Sequence, residues 1–264
     1  MRRLIVFPCA GETLFGTLDE AEGDTGLLIV SGGSEVRMGA HRGMAELAAR
    51  LAGAGTPVFR FDRRGVGDSS GQDQGFEASA EDIAAASATF AAEMPHLRRI
   101  VAFGNCDAAT ALALYHRGAG IDGLILANPW VTEDSDALPP AAAIRARYAE
   151  RLRDPRQWLR LATGGVDLLK LGKGLSKLSK SGSQPRALAE RMAEALAGAD
   201  VPVTLLLAAR DNTAIAFYQH WHSPLFEAAR AKVRYDAIDT ASHSFAGEAD
   251  KQWLFERIRM GLIP

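Results

Sequence analysis

Cysteine is scarce in this sequence: Cys9 and Cys106 are the only two among 264 residues. Two cysteines cannot build the disulfide framework of a small secreted domain, so we expect a cytoplasmic protein. No apolar run approaches the roughly 20 residues that a membrane-spanning helix needs. The short apolar run near the N-terminus is broken by Pro8 and Gly11, so we do not expect a signal peptide.

A strong excess of charge is also missing, because the formal net charge is -2, and the sequence therefore gives no indication of nucleic-acid binding. No G-x-G-x-x-G motif follows the first strand, which disfavours a Rossmann oxidoreductase. His220 and His222 lie close together, but no cysteine or carboxylate cluster completes a metal-ligand set. We therefore expect neither a metal nor another cofactor. With 47% hydrophobic and 23% charged residues, the composition is typical of a globular protein with one large domain.

Short apolar runs alternate with helix-like segments along most of the chain. The runs predicted as strands are 3–7, 14–18, 27–30, 57–61, 100–103, 123–129, 201–208 and 233–238. The segments predicted as helices include 41–52, 78–94, 145–160, 186–196 and 247–260. Such alternation indicates an α/β fold with a mostly parallel central sheet flanked by helices.

One strand-turn-helix segment is the centre of the functional prediction. The apolar run 100–103 is followed by Gly-Asn-Cys-Asp-Ala at 104–108 and then by an alanine-rich helix. This pattern resembles the nucleophile elbow of α/β-hydrolases, G-x-S-x-G, with Cys106 in place of serine and Ala108 in place of the second glycine. The alternative is a structural cysteine that is buried at the start of a core helix.

Three features favour Cys106 as a nucleophile. Small residues on either side allow the turn to close, and the positive end of a helix dipole favours a thiolate. The backbone N–H of Asp107 then points to where an oxyanion would form. The glycine-rich loop after the strand 27–30 is predicted to supply the second oxyanion donor, from Gly33 or its neighbour Ser34.

Two further residues near these loops are predicted to bind substrate. Arg37 follows the glycine-rich loop, and Asn105 precedes the candidate nucleophile. The stretch 62–69 matches D-x-R-G-x-G-x-S, a loop that is typical of the α/β-hydrolase fold at this position. In that loop, Asp62 and Arg64 are predicted to brace the turn.

A candidate acid and a candidate base follow late strands. Asp211 comes directly after the run 201–208, and His243 lies in the loop after the last predicted strand. Asp239 is the weaker alternative for the acid. Nucleophile, acid and base thus occur in the order of the α/β-hydrolase triad, and each follows a strand.

Residues 131–198 lack strand-like runs and are predicted to form a helical cap inserted into a core of residues 1–130 and 199–264. The segment 145–191 holds 12 lysine and arginine residues against 4 aspartate and glutamate residues. This basic segment is either a solvated helical face or a lid that touches a membrane surface or an anionic substrate.

The resemblance to the α/β-hydrolase superfamily covers nearly the whole chain. More narrowly, the sequence resembles the exosortase A system-associated hydrolase 1 family of bacteria. The residues that carry this resemblance are Ser31-Gly32-Gly33, Arg37, His41-Arg42-Gly43, the stretch 62–69 and the elbow Cys106-Asp107-Ala108-Ala109. That family is linked to exopolysaccharide production and protein-sorting gene clusters, which implies a substrate in envelope biosynthesis.

The sequence therefore predicts a hydrolase with Cys106, His243 and Asp211 as a catalytic triad, acting on an ester or a thioester. An acyltransferase to a sugar hydroxyl and a non-catalytic binding protein with the same fold remain the alternatives. The expected partner is a small-molecule or lipid-linked acyl substrate, with no nucleic acid. Peripheral contact with the inner membrane would run through the basic cap.

Overall fold

The computed structural model describes residues 1–131 and 187–263. The strands are β1 (Arg2–Cys9), β2 (Glu12–Asp19), β3 (Thr25–Val30), β4 (Val58–Phe61), β5 (Arg99–Asn105), β6 (Gly123–Ala127), β7 (Val203–Ala208) and β8 (Arg234–Ile238). The α-helices are α1 (Gly43–Gly53), α2 (Ala80–Glu93), α3 (Asp107–Tyr115), α4 (Ala187–Ala197), α5 (Asn212–Trp221), α6 (Glu227–Arg230) and α7 (Glu248–Leu262).

Within the described ranges, eight strands form one sheet in the order β1-β2-β4-β3-β5-β6-β7-β8. The β1–β2 and β2–β4 pairs are antiparallel, and all pairs from β4 to β8 are parallel. The prediction of a mostly parallel sheet flanked by helices is confirmed.

The central strands are apolar because both faces of the sheet are covered. In β3, Leu28 and Val30 face one layer of the core while Leu27 and Ile29 face the other. Helices α2, α3, α4 and α5 pack on the first face, and α1 and α7 pack on the second. Burial on both faces explains the continuous apolar runs of the sequence.

Parallel pairing from β4 to β8 brings the carboxyl ends of six strands to the same edge of the sheet. The segments that leave this edge are the loop after β3, the loop after β4, the β5–α3 turn, the segment after β6, the β7–α5 turn and the loop after β8. In open parallel sheets this edge is where ligands bind. The residues predicted for the site lie in these segments.

The helix predicted to begin at His41 begins instead at Gly43. His41 and Arg42 have φ angles of 52° and 60°, which are left-handed and cannot continue a right-handed helix. The predicted boundary was wrong because helical spacing of apolar residues does not reveal the conformation of the residues that precede them.

The predicted cap falls mostly on residues that lie outside the described ranges, and so does the predicted helix 145–160. The helix predicted over 186–196 is present as α4, whose side chains Met192 and Leu196 are buried in the core. The division of the chain into core and cap stays a prediction. In residues 1–131 and 187–263, none of the helices combines the length and apolar character needed to cross a membrane.

Candidate active site

The β5–α3 turn holds Cys106 in a strained backbone conformation. Cys106 lies between the end of β5 and the first residue of α3, with φ 62° and ψ −128°. Its N–H donates to the carbonyl of Ala127 at 3.0 Å, and its carbonyl accepts the N–H of Trp130 at 3.2 Å. A non-glycine residue with such angles costs about 1–3 kcal/mol and persists only where its surroundings fix it. The bend therefore presents the thiol at the sheet edge.

The residues beside Cys106 must be small for this bend to form. A Cβ on Gly104 would lie 2.8 Å from the carbonyl carbon of Ala108 and 3.0 Å from the nitrogen of Ala109. Ala108 is 2% exposed and fits the turn with its methyl group in the core. The elbow thus forms with alanine where the superfamily pattern has a second glycine, while glycine is required at 104.

His243 and Asp211 are joined by a hydrogen bond, although 31 residues separate them in the chain. Nδ1 of His243 lies 2.8 Å from Oδ2 of Asp211. The same carboxylate oxygen caps α5 by accepting the N–H of Ala214 at 3.2 Å. Asp239, the alternative acid, is exposed and pairs with Arg210 at 2.9 Å. The structure therefore places Asp211, and not Asp239, against the histidine.

The electrostatics of His243 reflect its two neighbours. Burial on its own lowers the pKa of His243, but the hydrogen bond to Asp211 and the interaction with Cys106 outweigh it and raise that pKa to about 10. Both interactions favour the protonated form of the imidazole. A cationic histidine beside a thiol stabilises the thiolate, as in cysteine nucleophiles that act as ion pairs.

A buried amide network that sequence reasoning missed positions the histidine loop. Asn128 follows β6, is fully buried and has a φ of 42°. Its amide nitrogen donates to Oδ1 of Asn105 at 3.0 Å, and its Oδ1 accepts the N–H of Ala208 at 2.8 Å. The amide nitrogen of Asn105 donates to the carbonyl of His243 at 3.1 Å. The signal that could have found Asn128 is a polar residue directly after an apolar strand.

The role predicted for Asn105 differs from the contacts it makes. Its side chain is engaged on both sides, by Asn128 and by the backbone of His243. The predicted substrate contact of Asn105 stays a prediction, whereas its observed contacts hold the backbone of His243.

The loop after β3 approaches the elbow, as predicted for an oxyanion site. The N–H of Gly33, however, donates to Oδ1 of Asp107 at 2.7 Å. Ser34 is exposed and its hydroxyl donates to Asp73 at 3.4 Å. The sequence predicted Gly33 as an open donor and did not anticipate that the side chain of Asp107 would occupy it. The oxyanion roles of Gly33, Ser34 and the Asp107 N–H stay predictions.

The loop after β4 is braced by ion pairs. The buried carboxylate of Asp62 accepts the backbone N–H of Arg37 at 2.5 Å and also pairs with the Arg37 guanidinium, which lies 2.9 Å from Asp68. Arg64 pairs with Asp82 of α2. The structure confirms the bracing predicted for Asp62 and Arg64. Arg37 is held in the same brace, and its predicted substrate contact stays a prediction.

The second thiol lies away from the site. Cys9 is buried at the end of β1, and its Sγ donates to Oδ1 of Asp82 at 3.3 Å. Burial and this hydrogen bond raise the pKa of Cys9 to about 12. Cys9 is therefore a packed thiol, as the sequence predicted.

No group of three or more potential metal-ligating side chains is found in the ranges that the structure describes. His220 and His222 lie at the end of α5, where Nδ1 of His222 contacts the carbonyl of Tyr218 at 3.0 Å. Burial lowers the pKa of His220.

Comparison with known proteins assigns the fold and a family. A sequence profile of the Hydrolase_4 family, described as serine aminopeptidase, S33, matches residues 27–250. No curated protein sequence matches the chain significantly.

Three solved structures illustrate the likeness. The Pyrococcus furiosus esterase Pf2001 is 15% identical with a TM-score of 0.65, and the match covers 99% of this chain and 93% of that one. The α/β-hydrolase GrgF from Penicillium sp. sh18 is 16% identical with a TM-score of 0.65, covering 99% and 98%. The thioesterase domain from the curacin biosynthetic pathway is 15% identical with a TM-score of 0.59, covering 98% and 99%. At these identities the likeness establishes the α/β-hydrolase fold alone.

Proposed function

This chain belongs to the Hydrolase_4 family, described as serine aminopeptidase, S33, and on that premise we propose that it is an ester or thioester hydrolase whose nucleophile is Cys106. One observation carries the proposal: a strained elbow presents Cys106 beside His243, and His243 is hydrogen-bonded to Asp211 at 2.8 Å. A nucleophile, a base and a group that orients the base are the three parts that covalent acyl transfer requires.

In the acylation step, the thiolate of Cys106 forms a bond to the carbonyl carbon of the substrate, and the π electrons move to the oxygen. Backbone N–H groups at the elbow and in the loop after β3 stabilise that oxyanion. When the tetrahedral intermediate collapses, the bond to the alcohol or thiol breaks, and the leaving group takes a proton from the His243 imidazolium. The products are an acyl thioester on Cys106 and a neutral His243.

In the deacylation step, His243 acts as a base. Acylation removes the Cys106 interaction that helps to raise the pKa of His243, so that pKa falls, and the neutral imidazole accepts a proton from water. The water oxygen forms a bond to the acyl carbon, and the thiolate leaves as the carbonyl re-forms. Asp211 holds Nδ1 of the ring throughout, so that the other ring nitrogen faces the reacting atoms.

The choice of an ester or thioester over a peptide is supported by two kinds of observation. Solved structures with this fold include an esterase and a thioesterase domain. A thiol is also a good leaving group, so a cysteine enzyme releases its acyl group readily once the acceptor is activated. In the same site, a sugar hydroxyl in place of water would make the chain an acyltransferase.

A non-catalytic binding protein is the second candidate, because one observation favours it. The carboxylate of Asp107 lies on the N–H of Gly33, where an oxyanion donor is expected. If the carboxylate never leaves the Gly33 N–H, the site would bind an acyl compound without cleaving it.

The narrower resemblance remains part of the proposal. On the residues that match the exosortase A system-associated hydrolase 1 family, we propose a cytoplasmic enzyme with a small-molecule or lipid-linked acyl donor of envelope biosynthesis. The basic segment 145–191 would bring the enzyme to an anionic membrane surface or to an anionic substrate.

The first test is the pH dependence of alkylation by iodoacetamide, read by intact mass and peptide mapping. Cys9 is an internal control, since its pKa of about 12 makes it slow at every pH below that value. We expect fast labelling of Cys106 below about pH 7, and we expect His243→Ala to slow it. A panel of esters and thioesters then identifies the leaving group.

Slow labelling of Cys106 in both proteins, rising only near the ordinary thiol pKa of about 8.5, would contradict the hydrolase proposal. That result would favour the binding protein.

A further inference from the structure

The Asp107 side chain lies directly on the glycine-rich loop beside the candidate nucleophile. Its Oδ1 accepts the N–H of Gly33 at 2.7 Å. A Cβ on Gly32 would lie 2.6 Å from the same oxygen and 3.5 Å from the Cβ of Cys106. The carboxylate therefore fills the space between the loop and the elbow, and glycine is needed at 32 to leave that space.

The loop is also held from the opposite direction, because the guanidinium of Arg63 donates to the carbonyl of Gly33. The backbone of Gly33 is thus fixed on both sides, with its N–H on a carboxylate and its carbonyl on an arginine. Moving the Asp107 side chain frees the Gly33 N–H and breaks only the contact with the carboxylate. Moving the loop would also break the contact between the Gly33 carbonyl and Arg63.

This contact opposes the chemistry proposed for the site. The single N–H proton of Gly33 cannot serve both a carboxylate and a substrate oxyanion, and charge-assisted bonds of this kind are among the strong ones. A carboxylate at that position also repels the negative charge that develops in the transition state. A substrate that attracts the carboxylate away would remove both obstacles together.

We propose that Asp107 is a specificity-determining residue that closes the Gly33 donor at rest and opens it for acyl donors with a positive charge near the carbonyl. This inference rests on the proposed function. A cationic group pairs with the carboxylate, frees the N–H for the oxyanion and neutralises the charge beside it. An anionic acyl group does the reverse and is excluded.

The test compares three p-nitrophenyl esters of similar size: β-alanyl with a cation, butyryl with no charge and succinyl with an anion. Cys106 displaces p-nitrophenolate: the C–S bond forms first, and the C–O bond breaks when the tetrahedral intermediate collapses. The second-order rate of acylation is read by p-nitrophenolate release, and the acyl adduct is located by intact mass and peptide mapping. The variants are Asp107→Ala and the control Glu35→Gln, which removes one exposed carboxylate from the same loop.

We expect the natural protein to react with β-alanyl faster than butyryl and with butyryl faster than succinyl, each step by about tenfold. Asp107→Ala should raise the acylation rate with the butyryl ester by about tenfold. It should also reduce the spread, the ratio of the fastest to the slowest rate among the three esters, to less than about fivefold. The Glu35→Gln variant should keep the spread.

Acylation of Cys106 with the same spread in Asp107→Ala would overturn this inference and leave the proposed function standing. A folded Asp107→Ala protein that reacts more slowly with butyryl would show that the carboxylate is a structural brace, which also overturns it. If none of the esters acylates Cys106 in any variant, the proposed function fails and the inference fails with it.

Discussion

The two thiols of this chain are placed differently with respect to a carboxylate. Cys9 donates its proton directly to Asp82 at 3.3 Å, inside the core. Between Cys106 and Asp211 stands His243, whose ring nitrogen lies 2.8 Å from the carboxylate. A thiol and a carboxylate therefore form a packing contact at the end of β1, whereas a thiol, an imidazole and a carboxylate form the candidate site after β5.

Under the proposed function, the imidazole between Cys106 and Asp211 decides how the two thiols differ. Burial disfavours the thiolate of Cys9, and the hydrogen bond and negative charge of Asp82 add to this, which is why the pKa of Cys9 rises to about 12. A carboxylate that binds an imidazole instead favours the imidazolium, and an imidazolium favours a neighbouring thiolate. The contrast between the two thiols can be tested by changing one member of each set.

The largest effect is expected from the thiols themselves. Cys106→Ala removes the nucleophile and should lower kcat/KM for a p-nitrophenyl ester by about 10⁴-fold or more. Cys9→Ala should leave kcat/KM within about twofold and lower the free energy of unfolding by about 1–2 kcal/mol, because it truncates a buried side chain. Ester hydrolysis and urea unfolding of both variants measure this. Equal activity loss in the two variants would place Cys9 in the site as well.

Asp211 and Asp82 should affect different properties: the change at Asp211 should lower activity, and the change at Asp82 should lower stability. Asp211→Asn keeps a good helix cap for α5 but no longer stabilises the imidazolium, so kcat/KM should fall by about 10³-fold with little change in unfolding. Asp82→Asn leaves activity intact and weakens the buried pair with Arg64, which should cost about 2 kcal/mol. The same two assays apply. A stable Asp211→Asn protein with normal kcat/KM would remove the acid from the proposed mechanism.

Removing the imidazole of His243 should bring the labelling rate of Cys106 closer to that of Cys9. An unassisted thiol is only a few per cent thiolate at neutral pH, so His243→Ala should slow iodoacetamide labelling of Cys106 at pH 7 by about 30-fold. Labelling of Cys9 in the same sample should not change. The ratio of the two modified peptides is the measurement, and an unchanged ratio would mean that His243 does not activate Cys106.

The last prediction concerns the dependence of stability on pH. Since folding raises the pKa of His243 from 6.5 to about 10, its contribution is fully present below pH 6.5 and is lost as pH rises towards 10. The raised pKa of Cys9 weakens the folded state only as pH rises above about 9. Urea midpoints from pH 6 to 10 should therefore fall less steeply in His243→Ala. The curve of Cys9→Ala should run below and parallel to that of the natural protein, and its slope should differ only at the alkaline end. Parallel curves for His243→Ala and the natural protein would contradict the raised histidine pKa.

The strands and most helices were predictable because their signals are local. Apolar runs such as 100–103 and 123–127 become strands buried on both faces, and the order of elements fixes a parallel sheet. The elbow was also visible, since small residues around Cys106 are the condition for its strained backbone. The start of α1 was not predictable, because the left-handed angles of His41 leave no mark on apolar spacing.

The sequence by itself determined the fold class, the elbow and the order of the candidate nucleophile, acid and base, because each depends on the residue types within one strand and the turn that follows it. Only the tertiary structure decided between Asp211 and Asp239, and only it revealed that Asn128 supports the histidine loop and that Asp107 covers the Gly33 N–H. These contacts join residues that are tens of positions apart. Their geometry depends on how neighbouring strands end against one another, which no local pattern records.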